Sequence, residues 1–144
     1  MVLLAKDIMD RDVLVLDETT DVLTAARTMV ERRKGYAILV RQPRREPVGI
    51  VTEWDLLEKV LAPGRSPQEV RLRDIASSPL QQCAPETPTD EVVSRMAERG
   101  VRRIVVRRGD EILGVITSRS VLANFRKYVD RVSAEIAGFR GPTG

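Results

Sequence analysis

The 144-residue sequence contains no histidine, a single cysteine and a single tryptophan, and aromatic residues make up only 3% of it. Without histidine, the commonest general base near neutral pH and the commonest metal ligand are both missing. One cysteine, Cys83, excludes an intramolecular disulfide and fits a reducing compartment. With so few rings, stacking platforms for single-stranded nucleic acid are scarce. Long apolar runs are also lacking. The opening MVLLAKDIMDRD returns to charge at Lys6, too soon for a signal peptide, and no uncharged stretch approaches transmembrane length. These absences lead to the expectation of a cytoplasmic protein that is not an enzyme, with no membrane partner, no catalytic residues, no metal ligands and no catalytic cofactor.

Charge is plentiful but nearly balanced. Charged residues are 31% of the chain and the net charge is +3 at pH 7, so the pI of 9.4 reflects 20 arginines against 4 lysines. This points weakly to anionic partners. The length suits one compact unit with a core of its own.

The chain is written twice. KDIM (6–9) faces RDIA (73–76), TDVLTAARTMVER (20–32) faces TPTDEVVSRMAER (87–99), and VGIVTEWDLL (48–57) faces LGVITSRSVL (113–122). The mismatch in register falls between the strands, where RQPRREP (41–47) has a shorter counterpart, as a loop deletion would leave it. Each copy reads as strand, helix, strand, turn, strand, helix. Val22, Ala25, Ala26, Met29 and Val30 recur at helical spacing, and Thr87-Pro88-Thr89-Asp90 reads as a helix start with Thr87 as N-cap. YAILV, VGIVT, RIVVR and LGVIT are apolar runs expected to be strands buried on both faces. The last segment, Ser118 to about Phe139, places Val121, Leu122, Phe125, Tyr128, Val129, Val132 and Ile136 along one side of a longer helix. Two copies this short form no secure core singly, so they should pack together with pseudo-twofold symmetry. The expected fold is α/β (α+β), each repeat a small three-stranded sheet packed with two helices. The repeats divide as residues 1–64 and 65–144, the second carrying the extended helix.

DIM near the start, the helix ending in M-x-E, and above all Gly49-Ile50-Val51-Thr52-Glu53-Trp54-Asp55 resemble the cystathionine β-synthase (CBS) domain. The tandem pair resembles a stand-alone Bateman-type regulatory module. The resemblance implies an adenosine ligand, AMP favoured, with ADP, ATP, NAD or S-adenosylmethionine as alternatives. It places Asp55 on the ribose hydroxyls and Ile50 against the base or sugar. Leu80 and Val101 would flank the adenine, and Thr52, Arg102 and Arg103 would hold phosphate. Carboxylates accept paired hydroxyls, and guanidinium forks match phosphate oxygens, so the residue types suit these tasks. The copies depart from the pattern in opposite ways. The copy with Asp55 has Gly35-Tyr36 where the other has Arg102-Arg103, and the copy with those arginines has Ser120 in place of the acid. A second cleft, near Val13, Tyr36, Thr117 and Ser120, is expected to be empty or weaker.

Plainer roles compete for the same residues. Thr52-x-x-Asp55 is close to a capping box, worth about 1 kcal/mol. Trp54 fits a subunit contact, and the runs ERRK (31–34) and RQPRRE (41–46) fit solvated faces. Met9, Met29 and Met96 read as core, and Cys83 as semi-buried. The apolar last helix suggests a homodimer, read by an unidentified regulated protein. Nucleic-acid binding through the arginines is an alternative, with few aromatic platforms to support it, and a dimerisation module without ligand is another.

Overall fold

The computed structural model describes residues 3–77 and 80–138. It holds two three-stranded sheets of matching topology. In the first, β1 (Val15–Asp17) runs parallel to β2 (Tyr36–Arg41), which pairs antiparallel with β3 (Glu46–Thr52). In the second, β4 (Gln82–Cys83), β5 (Arg103–Arg108) and β6 (Glu111–Thr117) repeat that order. Both hairpins slip register at the same place, between Leu39 and Val40 and between Val106 and Arg107. Helices α2 (Val22–Arg32) and α4 (Thr89–Arg99) connect the parallel strands. Short α1 (Ala5–Ile8) opens the first repeat; α3 (Glu53–Leu56) widens into a π-helical turn over Leu57–Leu61, and α5 (Ser118–Gly138) ends the described chain. Phe139 lies outside the described residues.

Apolar periodicity explains which faces turn inward. Val22, Ala25 and Met29 of α2 are buried, as are Val92 and Met96 of α4. The middle of β2 is buried throughout, whereas β3 alternates, with Gly49 and Val51 buried and Ile50 half-buried. The expectation of two buried faces therefore holds for β2 and not for β3. Asp21 caps α2 by accepting from the Thr24 amide at 2.9 Å. The second helix begins later than Thr87 as N-cap would have it: Pro88 takes the cap position and Thr87 is buried, its carbonyl accepting from Ala5 N. The cause is the N-terminal segment docked there, with the Thr89 hydroxyl donating to Leu3 O at 2.7 Å.

Each repeat is completed by the lead-in segment of the other. Ala5 and Ile8 sit in the core of the second repeat with Val92, Met96, Ile104 and Ile116. Val70, Leu72 and Ile75, around the 3₁₀ turn Leu72–Asp74, sit in the core of the first with Leu14, Leu39 and Val51. The exchange extends to the sheets: Asp10 bridges to Val115 on β6, and Ser77 to Ile50 on β3. The glycines of the duplicated motif make room for these crossings. A Cβ on Gly114 would lie 2.8 Å from Asp10 O, and one on Gly49 would lie 3.1 Å from Ser77 O. A third cluster, Tyr36, Ile38, Val105 and Val115, joins the two sheets. Full burial of a Leu or Ile side chain stabilises by about 1.5–3 kcal/mol, so these swapped residues bind the repeats into one unit.

Candidate functional site

The repeats meet around a cavity of about 610 Å³ built from equivalent positions. Tyr36 opens β2 and pairs with Thr52, while Arg103 opens β5 and pairs with Thr117. The helix after each hairpin is tied back in the same way: Glu53 N donates to Gly35 O, and Ser118 N to Arg102 O, both at 3.0 Å. These ties bring Glu53 and Ser118 to the cavity wall beside Tyr36 and Arg103. Gly35 sits close to this wall: a Cβ there would lie 3.2 Å from the Glu53 carboxylate, a flexible side-chain end that would have to shift slightly.

Four guanidinium groups line the space, those of Arg33, Arg102, Arg103 and Arg119, and none forms an ion pair among the described residues. Arg33 is delivered by the left-handed turn that ends α2, at φ 54°. Lys34 also borders the cavity, but Asp10 and Asp12 neutralise it at 3.1 and 3.3 Å. The Arg103 guanidinium lies over the Tyr36 ring, 5.4 Å from its centroid. Tyr36 is only 6% exposed, and its hydroxyl, like Arg103 Nε, is buried with no hydrogen-bond partner among the described residues. Burial, aided by the Asp10 charge, pushes the Tyr36 hydroxyl up to about 12, so it remains a neutral donor. A buried donor left unpaired costs about 1–3 kcal/mol, and two of them beside unpaired cations form a ready anion site.

The residues expected from the sequence are distributed around this centre. Arg102 and Arg103, expected in one cleft, share a single cavity with Tyr36 and Thr117, expected in the other. Val13, Ile50 and Leu80 pack beside it against the cluster that joins the sheets, and Val101 packs on the core of the second repeat. Asp55 is 7% exposed and does not line the cavity; its neighbour Glu53 does. Asp55 Oδ2 accepts from Thr52 N at 2.9 Å and from the Thr52 hydroxyl at 3.1 Å, while Oδ1 pairs with Lys59 at 3.0 Å. Thr117 and Ser120 form the matching box, Thr117 N donating to Ser120 Oγ at 3.0 Å. Sequence reasoning missed Arg33 and Arg119. Arg33 lies in the ERRK run (31–34), whose charge pattern reads as a solvated face. Arg119, beside Thr117 in the duplicated motif, was open to discovery by aligning it with Trp54. Cys83 is buried rather than semi-buried, and that burial pushes its thiol up and away from reactivity.

Comparison with known proteins matches the CBS domain model twice, over residues 5–62 and 72–127. The chain belongs to the CBS-domain family. Its two CBS domains stand in tandem, the arrangement of a regulatory module. An uncharacterized protein of Methanopyrus kandleri is 31% identical over 131 residues, which is 90% of this chain and 66% of that protein. A mitochondrial CBS domain-containing protein of Arabidopsis thaliana is 28% identical over 83% of this chain and 63% of its own length. The chain thus spans just under two thirds of these relatives. Among solved structures, the hexameric CBS-CP12 protein from bloom-forming cyanobacteria superposes with a TM-score of 0.79 at 32% identity, over 85% of this chain and 72% of that one. A CBS domain protein from Pyrobaculum aerophilum complexed with AMP shares the fold at a TM-score of 0.73 and 24% identity, over 83% of this chain and 90% of its own. Among the described residues no helix is long and apolar enough to cross a membrane.

Proposed function

We propose that this CBS pair is a non-catalytic regulatory module, acting as a homodimer in the cytoplasm, that binds an adenine nucleotide, AMP first among the candidates. The phosphate enters the arginine-lined cavity and meets Arg102 and Arg103, and the Thr52 hydroxyl joins them by turning from Asp55 toward the cavity it borders from outside the lining. The adenosine lies toward Ile50, Leu80 and Val101, with Asp55 accepting the ribose hydroxyls. The observation that carries this reading is the set of unpaired guanidiniums around one cavity, with the Arg103 guanidinium over the Tyr36 ring and both Tyr36 Oη and Arg103 Nε buried without a partner among the described residues. An AMP complex of a CBS protein of the same fold supports the choice of ligand. Asp55 can take its role only by exchanging Lys59 for the ribose at Oδ1, with Oδ2 left in the capping box. That exchange would transmit occupancy, because Lys59 Nζ also donates to Ile75 O at 2.8 Å, in the segment that leads to the second repeat.

The test is thermal denaturation of wild type, Asp55→Ala, Ser120→Ala and the Arg102→Ala/Arg103→Ala double variant, each with AMP, ADP, ATP, NAD and S-adenosylmethionine. A ligand at a hundred times its Kd stabilises by about 2.7 kcal/mol. Wild type and Ser120→Ala should respond to at least one compound, AMP above all, and the other two variants should not. Each capping variant loses about 1 kcal/mol without ligand, which separates helix stability from binding. A wild type indifferent to every compound at millimolar concentration would end the proposal.

A further inference from the structure

The two walls of the central cavity diverge at one pair of equivalent positions, the first helical residue after each hairpin. Their backbones are tied alike, Glu53 N donating to Gly35 O and Ser118 N to Arg102 O. Their side chains are not alike: the first repeat presents a carboxylate to the cavity and the second a hydroxyl. The Glu53 carboxylate lies over the backbone of Gly35, where a Cβ would stand 3.2 Å from Oε1 and 3.8 Å from Oε2. Asp10, the other acid on the cavity, is held by Lys34 at 3.1 Å. Glu53 has no ion pair among the described residues. Around the space five cations, Arg33, Lys34, Arg102, Arg103 and Arg119, stand against these two carboxylates, a net charge of +3.

A nucleoside monophosphate carries about two negative charges near neutral pH, and each further phosphate adds about one. A mono- or diphosphate stays within the charge of the cavity, and a triphosphate exceeds it. From this balance we infer that Glu53 sets the number of phosphates the site accepts, admitting AMP and ADP and turning ATP away. The inference rests on the nucleotide site of the proposed function and adds its selectivity. A phosphate seated on Arg102 and Arg103, on the second repeat, sends any longer chain across the cavity toward Gly35, Tyr36 and Glu53 on the first. Arg33 is the one guanidinium that the first repeat brings to the lining, and Glu53 offsets its charge. The outermost phosphate therefore meets an acid with no cation of its own, and like charges brought together select against that ligand.

Calorimetric titration of AMP, ADP and ATP, in buffer free of divalent metal, into wild type, Glu53→Gln, Glu53→Asp and Ser118→Glu tests the filter. Wild type should bind ATP more weakly than AMP. Glu53→Gln keeps the shape and removes the charge, and should tighten ATP about tenfold while changing AMP by about twofold at most. Glu53→Asp should keep the wild-type ratio, and Ser118→Glu, a second acid at the equivalent point, should weaken ATP further. Added salt should shrink these differences, because Glu53 is exposed and its field is screened. Glu53→Gln shifting all three nucleotides alike, or a wild type that prefers ATP, would overturn the filter and leave the nucleotide site standing. A wild type that binds none of the three would remove the phosphate site and the filter with it.

Discussion

The two repeats share topology, bulge position and capping-box geometry, yet they are specialised in opposite directions. The first offers Tyr36 and Glu53 to the cavity and keeps Asp55 in its capping box. The second offers Arg102, Arg103 and Arg119 and has Ser120 where the acid stands in the first. The first also adds Arg33, so guanidinium groups reach the cavity from both repeats. The lesson is that duplication supplied the scaffold, and divergence at equivalent positions gave one shared cavity two different walls across the pseudo-twofold.

The scaffold side of this comparison is testable at its glycines. Gly114→Ala should cost about 3 kcal/mol, because the new methyl would stand 2.8 Å from a backbone carbonyl on Asp10 and 2.7 Å from Met9 Sδ. Gly49→Ala should cost about 1 kcal/mol, its nearest neighbour being Ser77 O at 3.1 Å. Urea unfolding at fixed m-value measures both, and equal losses would break the claim that the N-terminal crossing is the tighter.

A smaller effect should appear at the facing pair. Tyr36→Phe removes a buried, unpaired hydroxyl and should raise the stability of the ligand-free protein by about 1 kcal/mol while weakening nucleotide binding several-fold. Arg103→Met should abolish nucleotide-dependent stabilisation altogether. Calorimetric titration of both variants decides it: equal losses of affinity would mean that the tyrosine is as much an anion ligand as the arginine.

The smallest effect is electrostatic and belongs to the first repeat alone. The Lys34 ammonium, by hydrogen bond and charge and with help from Arg32, holds the Asp12 carboxyl below its ordinary 3.8. A carboxyl lowered in the folded state contributes stability that is fully present above its unfolded value and is lost as pH falls through its folded one. Asp12→Asn should therefore lower neutral-pH stability slightly, leave stability in strong acid unchanged and so flatten the fall below pH 3.8, as acid titration of the melting temperature would show. An unaltered acid slope would mean that this exposed cluster contributes nothing.

Much of this architecture is legible in the residues. The apolar runs at β2, β3, β5 and β6, the spacing in α2 and α4, and the twice-written G-h-h-T motif fix two βαββα repeats, because periodicity and turn chemistry are local and duplication is visible by eye. The resemblance extended that reading to a CBS pair, and the family comparison agrees. What escaped was long-range. Leu3 and Leu4 dock where a helix cap was expected, so the start of α4 moved. Lys59 lies close to Asp55 in sequence, but its second bond, to Ile75 O, exists only because the linker folds back over the first repeat. Arg33 looked like one member of a solvated run until a left-handed residue turned it toward the second repeat.

The sequence by itself determined the repeat, the element order, the buried faces of its helices and the types of residue at each motif position, since all of these follow from local pattern and side-chain chemistry. Only the tertiary structure decided that each lead-in segment completes the other repeat's core, and that Tyr36 meets Arg103 in one shared cavity. Those outcomes depend on which distant surfaces bury each other best, and no local window of the chain contains that information.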